Sequence, residues 1–159
     1  VYSVGPVREC LRISELMYHP PDPNEEFIEL SNIGEETINL NLVRFTNAVD
    51  YTFGDINLEP GAYLVVVRDL SAFAAAYGPD APVAGEYNGN LSNGGERLEL
   101  EDALGGAILD FRYSDSWYGS TDGDGLSLEL ADALNADPNS LSEKNAWRPS
   151  LDVGGTPGW

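Results

Sequence analysis

Apolar and polar residues exchange places along this chain over short distances. Residues 26–30 read Glu-Phe-Ile-Glu-Leu and residues 97–100 read Arg-Leu-Glu-Leu, an alternation of period two that suits a strand with one face buried. Residues 62–67, Ala-Tyr-Leu-Val-Val-Val, form a continuous apolar run instead, as expected of a central strand covered on both faces. Further short segments rich in β-favouring residues lie at 11–18, 37–40, 42–46, 51–53, 83–87, 107–113 and 125–130. Between them stand turn-forming clusters: prolines at 20, 21 and 23, Leu-Glu-Pro-Gly at 58–61, Asn-Gly at 88–89, Asn-Gly-Gly at 93–95 and Gly-Gly at 105–106. Proline withholds the N–H that a ladder needs and glycine takes the positive φ of tight turns, so each cluster ends a strand. Many short strands at this spacing predict an all-β sandwich or barrel.

Residues 69–78 change the period. Leu70, Phe73, Ala74 and Tyr77 fall on one face at helical spacing, Asp69 or Ser71 can cap the N-terminus, and Gly78-Pro79 stops the run. The expectation is one short helix on the flank of the sandwich. The tail from Ala131 reads as loop, with Trp147 in it. No repeat, heptad pattern or low-complexity tract divides the chain, so residues 11–159 are read as one domain and residues 1–10 as a lead-in from a longer parent chain. The terminal aromatics Tyr2 and Trp159 belong to no site.

Composition narrows the partners. The 159 residues are 42% hydrophobic, enough for one domain with a core of its own. Against 27 Asp and Glu stand 8 Lys and Arg, a formal net charge of −19, with Lys144 the single lysine. Phosphate backbones and anionic lipids would repel such a chain, which excludes nucleic acid and acidic membrane surfaces as partners. No apolar run approaches the roughly 18 residues of a membrane span, so no membrane insertion is expected. A solvated, salt-tolerant exterior fits the acidity. Cys10 has no second cysteine to pair with and reads as a small hydrophobe or a surface thiol.

Four sets of residues could carry chemistry. Thr-Asp-Gly-Asp-Gly at 121–125 sets Asp122 and Asp124 two apart with glycines between, which lets carboxylates converge on a hard cation, and calcium is the candidate. Leu126 breaks the longer calcium-loop pattern, so a solvated glycine turn is the competing reading. Asp22, Asn24, Glu25 and Glu26 offer further oxygens without ligand spacing. Trp117 and Tyr118 lie in a loop-like stretch where flat rings could stack on sugars; alternatively Trp117 and Trp147 close the ends of the core. His19 is the one histidine, and a small metal-dependent hydrolase would have to combine it with acidic residues. No serine lies in a Gly-x-Ser-x-Gly elbow.

Taken in order, several segments resemble the lamin tail domain, in particular its bacterial members. They are Ile-Ser-Glu-Leu-Met-Tyr-His-Pro at 13–20, Glu-Phe-Ile-Glu-Leu-Ser-Asn at 26–32 with Gly34, and Leu-Glu-Pro-Gly-Ala-Tyr-Leu-Val-Val-Val at 58–67. Further on come Leu-Ser-Asn-Gly-Gly-Glu-Arg-Leu-Glu-Leu at 91–100, Gly-Ala-Ile-Leu-Asp at 106–110, Gly-Leu-Ser-Leu-Glu-Leu at 125–130, Trp147 and Gly-Thr-Pro-Gly at 155–158. The resemblance implies an immunoglobulin-like β-sandwich without a shared catalytic set. In such a fold Glu29, between Ile28 and Leu30, faces out or reaches a neighbouring backbone. Two departures stand out: there is no coiled-coil rod, and Leu42-Val43 occupies a stretch where many members carry tryptophan. By this resemblance the chain is expected to be a noncatalytic accessory module of a larger exported protein, extracellular or at the cell surface. It would need no cofactor and would contact other domains of the parent chain, a protein partner or a glycan. A purely structural spacer is the further alternative.

Overall fold

In a computed structural model of the protein, residues 5–158 are described; residues 1–4 and Trp159, and with them Tyr2, lie outside the described residues. The chain begins with α1 (Gly5–Cys10), β1 (Leu11–Met17), β2 (Phe27–Asn32), β3 (Ile38–Asn39), β4 (Arg44–Asn47), β5 (Val49–Thr52), β6 (Asn57–Leu58) and β7 (Tyr63–Val67). It continues through α2 (Leu70–Tyr77), β8 (Val83–Glu86), β9 (Asn88–Gly89), β10 (Arg97–Glu101), β11 (Ala107–Arg112), β12 (Leu128–Leu130) and β13 (Trp147–Pro149). A six-stranded sheet runs β13-β12-β1-β2-β7-β8, a five-stranded sheet runs β11-β10-β4-β5-β9, and β3 pairs with β6. All pairs are antiparallel except β7 with β8, where α2 makes the crossover that a parallel pair requires. This is an all-β sandwich, one of the two architectures that the turn spacing predicts, and it agrees with the immunoglobulin-like fold that the resemblance implies.

Between the sheets lies one core. Leu11, Ile13 and Leu16 of β1, Ile28 and Leu30 of β2, and Leu64 and Val66 of β7 meet Phe45, Leu98, Leu100, Leu109 and Phe111 from the other sheet. The six-stranded sheet is also apolar on part of its outer face, where Met17, Phe27, Val65 and Val67 are covered by Phe73 and Tyr77 of α2. That second cover explains why residues 63–67 read as a continuous apolar run. Phe27 meets the rings of Phe73 and Tyr77 edge-on, at 5.9 and 5.7 Å between centroids, a favourable aromatic geometry.

Two elements depart from the sequence reading. The segment expected as a lead-in contains a second helix: in α1, Val7 is buried in the core and Arg8 Nε donates to the Asp102 carboxylate at 2.6 Å. The tail expected as loop contributes β13, which extends the sheet beyond β12 and buries Trp147 against Phe111, ring centroids 5.7 Å apart. A three-residue strand in a polar stretch has too little periodicity to be read. Among the described residues no helix is long and apolar enough to cross a membrane.

Candidate functional site

The outer face of the six-stranded sheet is divided. One half is apolar and lies beneath α2; the other carries a row of acids. In register across neighbouring strands stand Glu129 of β12, Glu15 of β1 and Glu29 of β2, continued by Val65 of β7. Directly opposed residues of an antiparallel pair hold their Cβ atoms about 4.5–5.5 Å apart, so these carboxylates are immediate neighbours. On the far side of Glu129, Arg148 of β13 approaches to 3.7 Å.

A β-bulge creates the row. Side chains alternate along a strand, which would put Glu15 on the same face as Ile13, in the core. The register shifts between Ile13 and Glu15, and the extra residue, Ser14, turns Glu15 outward while Leu16 takes the inward place. Glu29 needs no such device: flanked by inward Ile28 and Leu30, it faces out and reaches a neighbouring backbone, as its position in the sequence implies.

Although they point away from the core, Glu15 and Glu29 are only 1% and 2% exposed, because the C-terminal segment lies over them. Glu15 accepts from the Ser127 hydroxyl at 2.5 Å, the Thr156 N–H at 2.9 Å and the Thr156 hydroxyl at 3.2 Å. Glu29 accepts from the Ser14 hydroxyl and the Gly158 N–H, both at 2.7 Å. Burial pushes the Glu15 carboxyl up to about 7, against these hydrogen bonds, with the charge of Glu129 adding to the rise. Burial and then the charge of Glu15 push Glu29 up to about 8. Beside the row opens a cleft of about 380 Å³, lined among others by Tyr63, Glu129, Asp132, Leu134 and Arg148.

Two further buried acids are structural. Glu26 accepts from the Tyr87 hydroxyl at 2.9 Å and the Leu91 N–H at 2.7 Å, joining the start of β2 to the chain on either side of β9, and burial raises its pKa. Burial also pushes Asp102 up, but Arg8 and the N–H groups of Gly106 and Leu104 together outweigh it and hold the carboxyl below its usual range.

The residues singled out from the sequence lie elsewhere. His19 Nδ1 and Asp122 Oδ1 are 2.7 Å apart, so the loop after β1 and the glycine turn before β12 do bring these two together. Asp124 is exposed in the same turn, and no three His, Cys, Asp or Glu side chains among the described residues are grouped to hold a metal ion. Trp117 and Tyr118 are half-buried and pack against the edge of the core. The Tyr118 hydroxyl donates to Trp147 O at 2.8 Å, and Lys144 Nζ sits 4.8 Å from the centre of its ring, covering one face. Asp22 caps a single helical turn at Pro23–Glu25.

The sequence reading passed over Glu15. Its signal was a glutamate inside a strongly apolar strand segment, together with a glycine-rich tail able to approach it closely. A Cβ on Gly155 would run into the Glu15 carboxylate, and at φ 70° the residue already favours glycine.

No curated protein matches the chain. The profile of the lamin tail domain matches residues 7–115, which takes in the last four residues of α1, Glu15, Glu29 and the strands through β11. The match and the sandwich agree, and the chain belongs to the lamin tail domain family.

Proposed function

We propose that this domain is a noncatalytic accessory module of a larger exported protein, which anchors or positions its neighbours through protein or glycan contacts. The observation that carries the reading is the burial of Glu15 and Glu29 beneath the chain's own tail. A general acid or base has to come within hydrogen-bond reach of its substrate. These two carboxylates have raised pKa values and border a cleft, which is the profile of catalytic acids. Yet each is occupied by protein donors and withdrawn from solvent, and His19, the other group a hydrolase would use, is paired with Asp122 in a different loop.

What such a module offers a partner is surface. Single large apolar side chains stand exposed at Leu104, Leu134, Leu151 and Val153, and Trp117 is the aromatic to test against a sugar ring, since Lys144 covers one face of Tyr118. Glycan arrays and the neighbouring domains of the full-length protein test the proposal. Saturable binding to either is expected, with glycan binding lost in Trp117→Ala if that ring makes the contact. Hydrolysis of glycoside, ester or peptide probes that Glu29→Gln abolishes would overturn the noncatalytic reading.

A further inference from the structure

The C-terminal segment crosses the outer sheet face as a strap. After β13 the chain turns, and the Gly154 N–H donates to Gly125 O at 2.7 Å, just ahead of β12. Thr156 then reaches Glu15 on β1, Gly158 reaches Glu29 on β2, and Tyr77 of α2 donates to Gly154 O at 2.8 Å. A Cβ on Gly158 would strike Pro82, ahead of β8, so the strap traverses the sheet from β12 toward its far edge. Two of its attachments end on adjacent carboxylates of one row.

The charges around that row are unbalanced. Arg148 approaches Glu129 from β13, but no Lys, Arg or His makes an ion pair with Glu15 or Glu29 among the described residues. On β1 itself, the Arg12 guanidinium turns away to the carbonyls of Ala136, Arg8 and Leu11. The loop after β12 brings Asp132 to the cleft and β7 brings Tyr63, while α2 brings Tyr77 to the strap at Gly154. Residues 153–158 of the strap carry no charged side chain.

We propose that the Glu15–Glu29 pair is a proton-operated latch for this strap, holding residues 154–158 on the sheet while the pair retains a proton and releasing them when both carboxylates ionise. An ionised carboxylate accepts an N–H more strongly, so the first ionisation keeps the strap in place. The second puts two like charges side by side in a dry site with no cation, where the desolvation penalty outweighs the stronger hydrogen bonds. Water relieves it, and the adjoining cleft gives water a way in once the strap lifts. Burial sets the raised pKa values, about 7 and about 8, with Glu129 adding to the rise at Glu15 and Glu15 to the rise at Glu29, so the latch works near neutral pH. Release uncovers the sheet face between Tyr63 and Glu129 with both carboxylates ionised and solvated, so neither then keeps the burial-raised pKa of a catalytic acid.

Nuclear magnetic resonance on the whole domain tests this. The side-chain carboxyl carbons of Glu15 and Glu29 and the amide groups of Thr156 and Gly158 are followed from about pH 5 to about pH 9, a span that brackets both raised values. The carboxyls are expected to titrate near neutrality. The two amides should share their midpoints and lose at least about tenfold in exchange protection, after correction for base catalysis, as expected of local opening. Glu29→Gln, which cannot ionise, should keep the strap protected throughout. Glu129→Gln removes one neighbouring negative charge without touching the strap, so both carboxyls should titrate at lower pH. Carboxyls titrating near 4.5, or strap amides equally protected at both extremes while the carboxyls titrate, would overturn the latch.

Discussion

Leu42 takes a backbone φ of 65° while its side chain is 52% exposed. The turn needs this geometry, since the Leu42 N–H donates to Phe53 O at 3.0 Å and the Val43 N–H to Leu40 O at 2.9 Å. Left-handed backbone costs an L-residue about 1–2 kcal/mol, whereas glycine adopts it freely but loses about 0.5–1 kcal/mol more chain entropy on folding. So exposed a side chain contributes little packing to set against the difference. Leu42→Gly is therefore expected to stabilise the domain by about 0.5–1 kcal/mol in urea unfolding, and an unchanged or lower midpoint would contradict the estimate. Glu26 is the opposite kind of residue. Its carboxylate satisfies a hydroxyl and an N–H inside the fold, groups that would be orphaned at about 1–3 kcal/mol each without it.

At the scale of elements, what could be read in advance depended on how locally each one is determined. Helix α2 was legible from end to end because its signals sit within it: Asp69 accepts from the Ala72 N–H at 2.9 Å, and Gly78 ends it at φ 83°. Asp69→Ala is accordingly expected to cost about 1 kcal/mol, seen as a lower urea midpoint with an unchanged slope. Strand β2 was legible too, down to the outward Glu29. Strand β1 was legible as a strand but not by face, because its bulge at Ser14 reflects pairing with β2, and pairing is a property of two segments. The same holds for the row of Glu129, Glu15 and Glu29, which lie far apart in the chain and become neighbours only through register. Helix α1 was missed because its six residues include Gly5 and Pro6 at the start and a single buried side chain. Strand β13 was missed because it offers three residues, one of them proline.

For the whole molecule, the net charge of −19 and the buried pair pull stability in one direction. The folded-state pKa values of Glu15 and Glu29 lie above the ordinary 4.5, so across that interval the folded protein holds protons that the unfolded chain has given up. Stability from this source is complete below about 4.5 and declines as pH rises to about 8. Asp102 and Asp110 act oppositely: both are held below their usual range, and their contribution is lost on acidification. The melting temperature is expected to peak on the acid side of neutrality and fall toward pH 8, with a shallower fall in Glu29→Gln, as scanning calorimetry can record. Physiological salt screens exposed charges beyond about 8 Å but reaches a buried pair far less, so the slope should survive in salt if the pair sets it. The topology also gives the domain a mechanical asymmetry. Strand β1 follows α1 directly and is paired on both sides, with β12 and with β2. Tension entering through α1 runs along that strand and shears two ladders at once. Tension at the C-terminal side meets a strap lying across the strands and peels it bond by bond, so when the domain is stretched between its two ends the strap gives way before the β1 ladders.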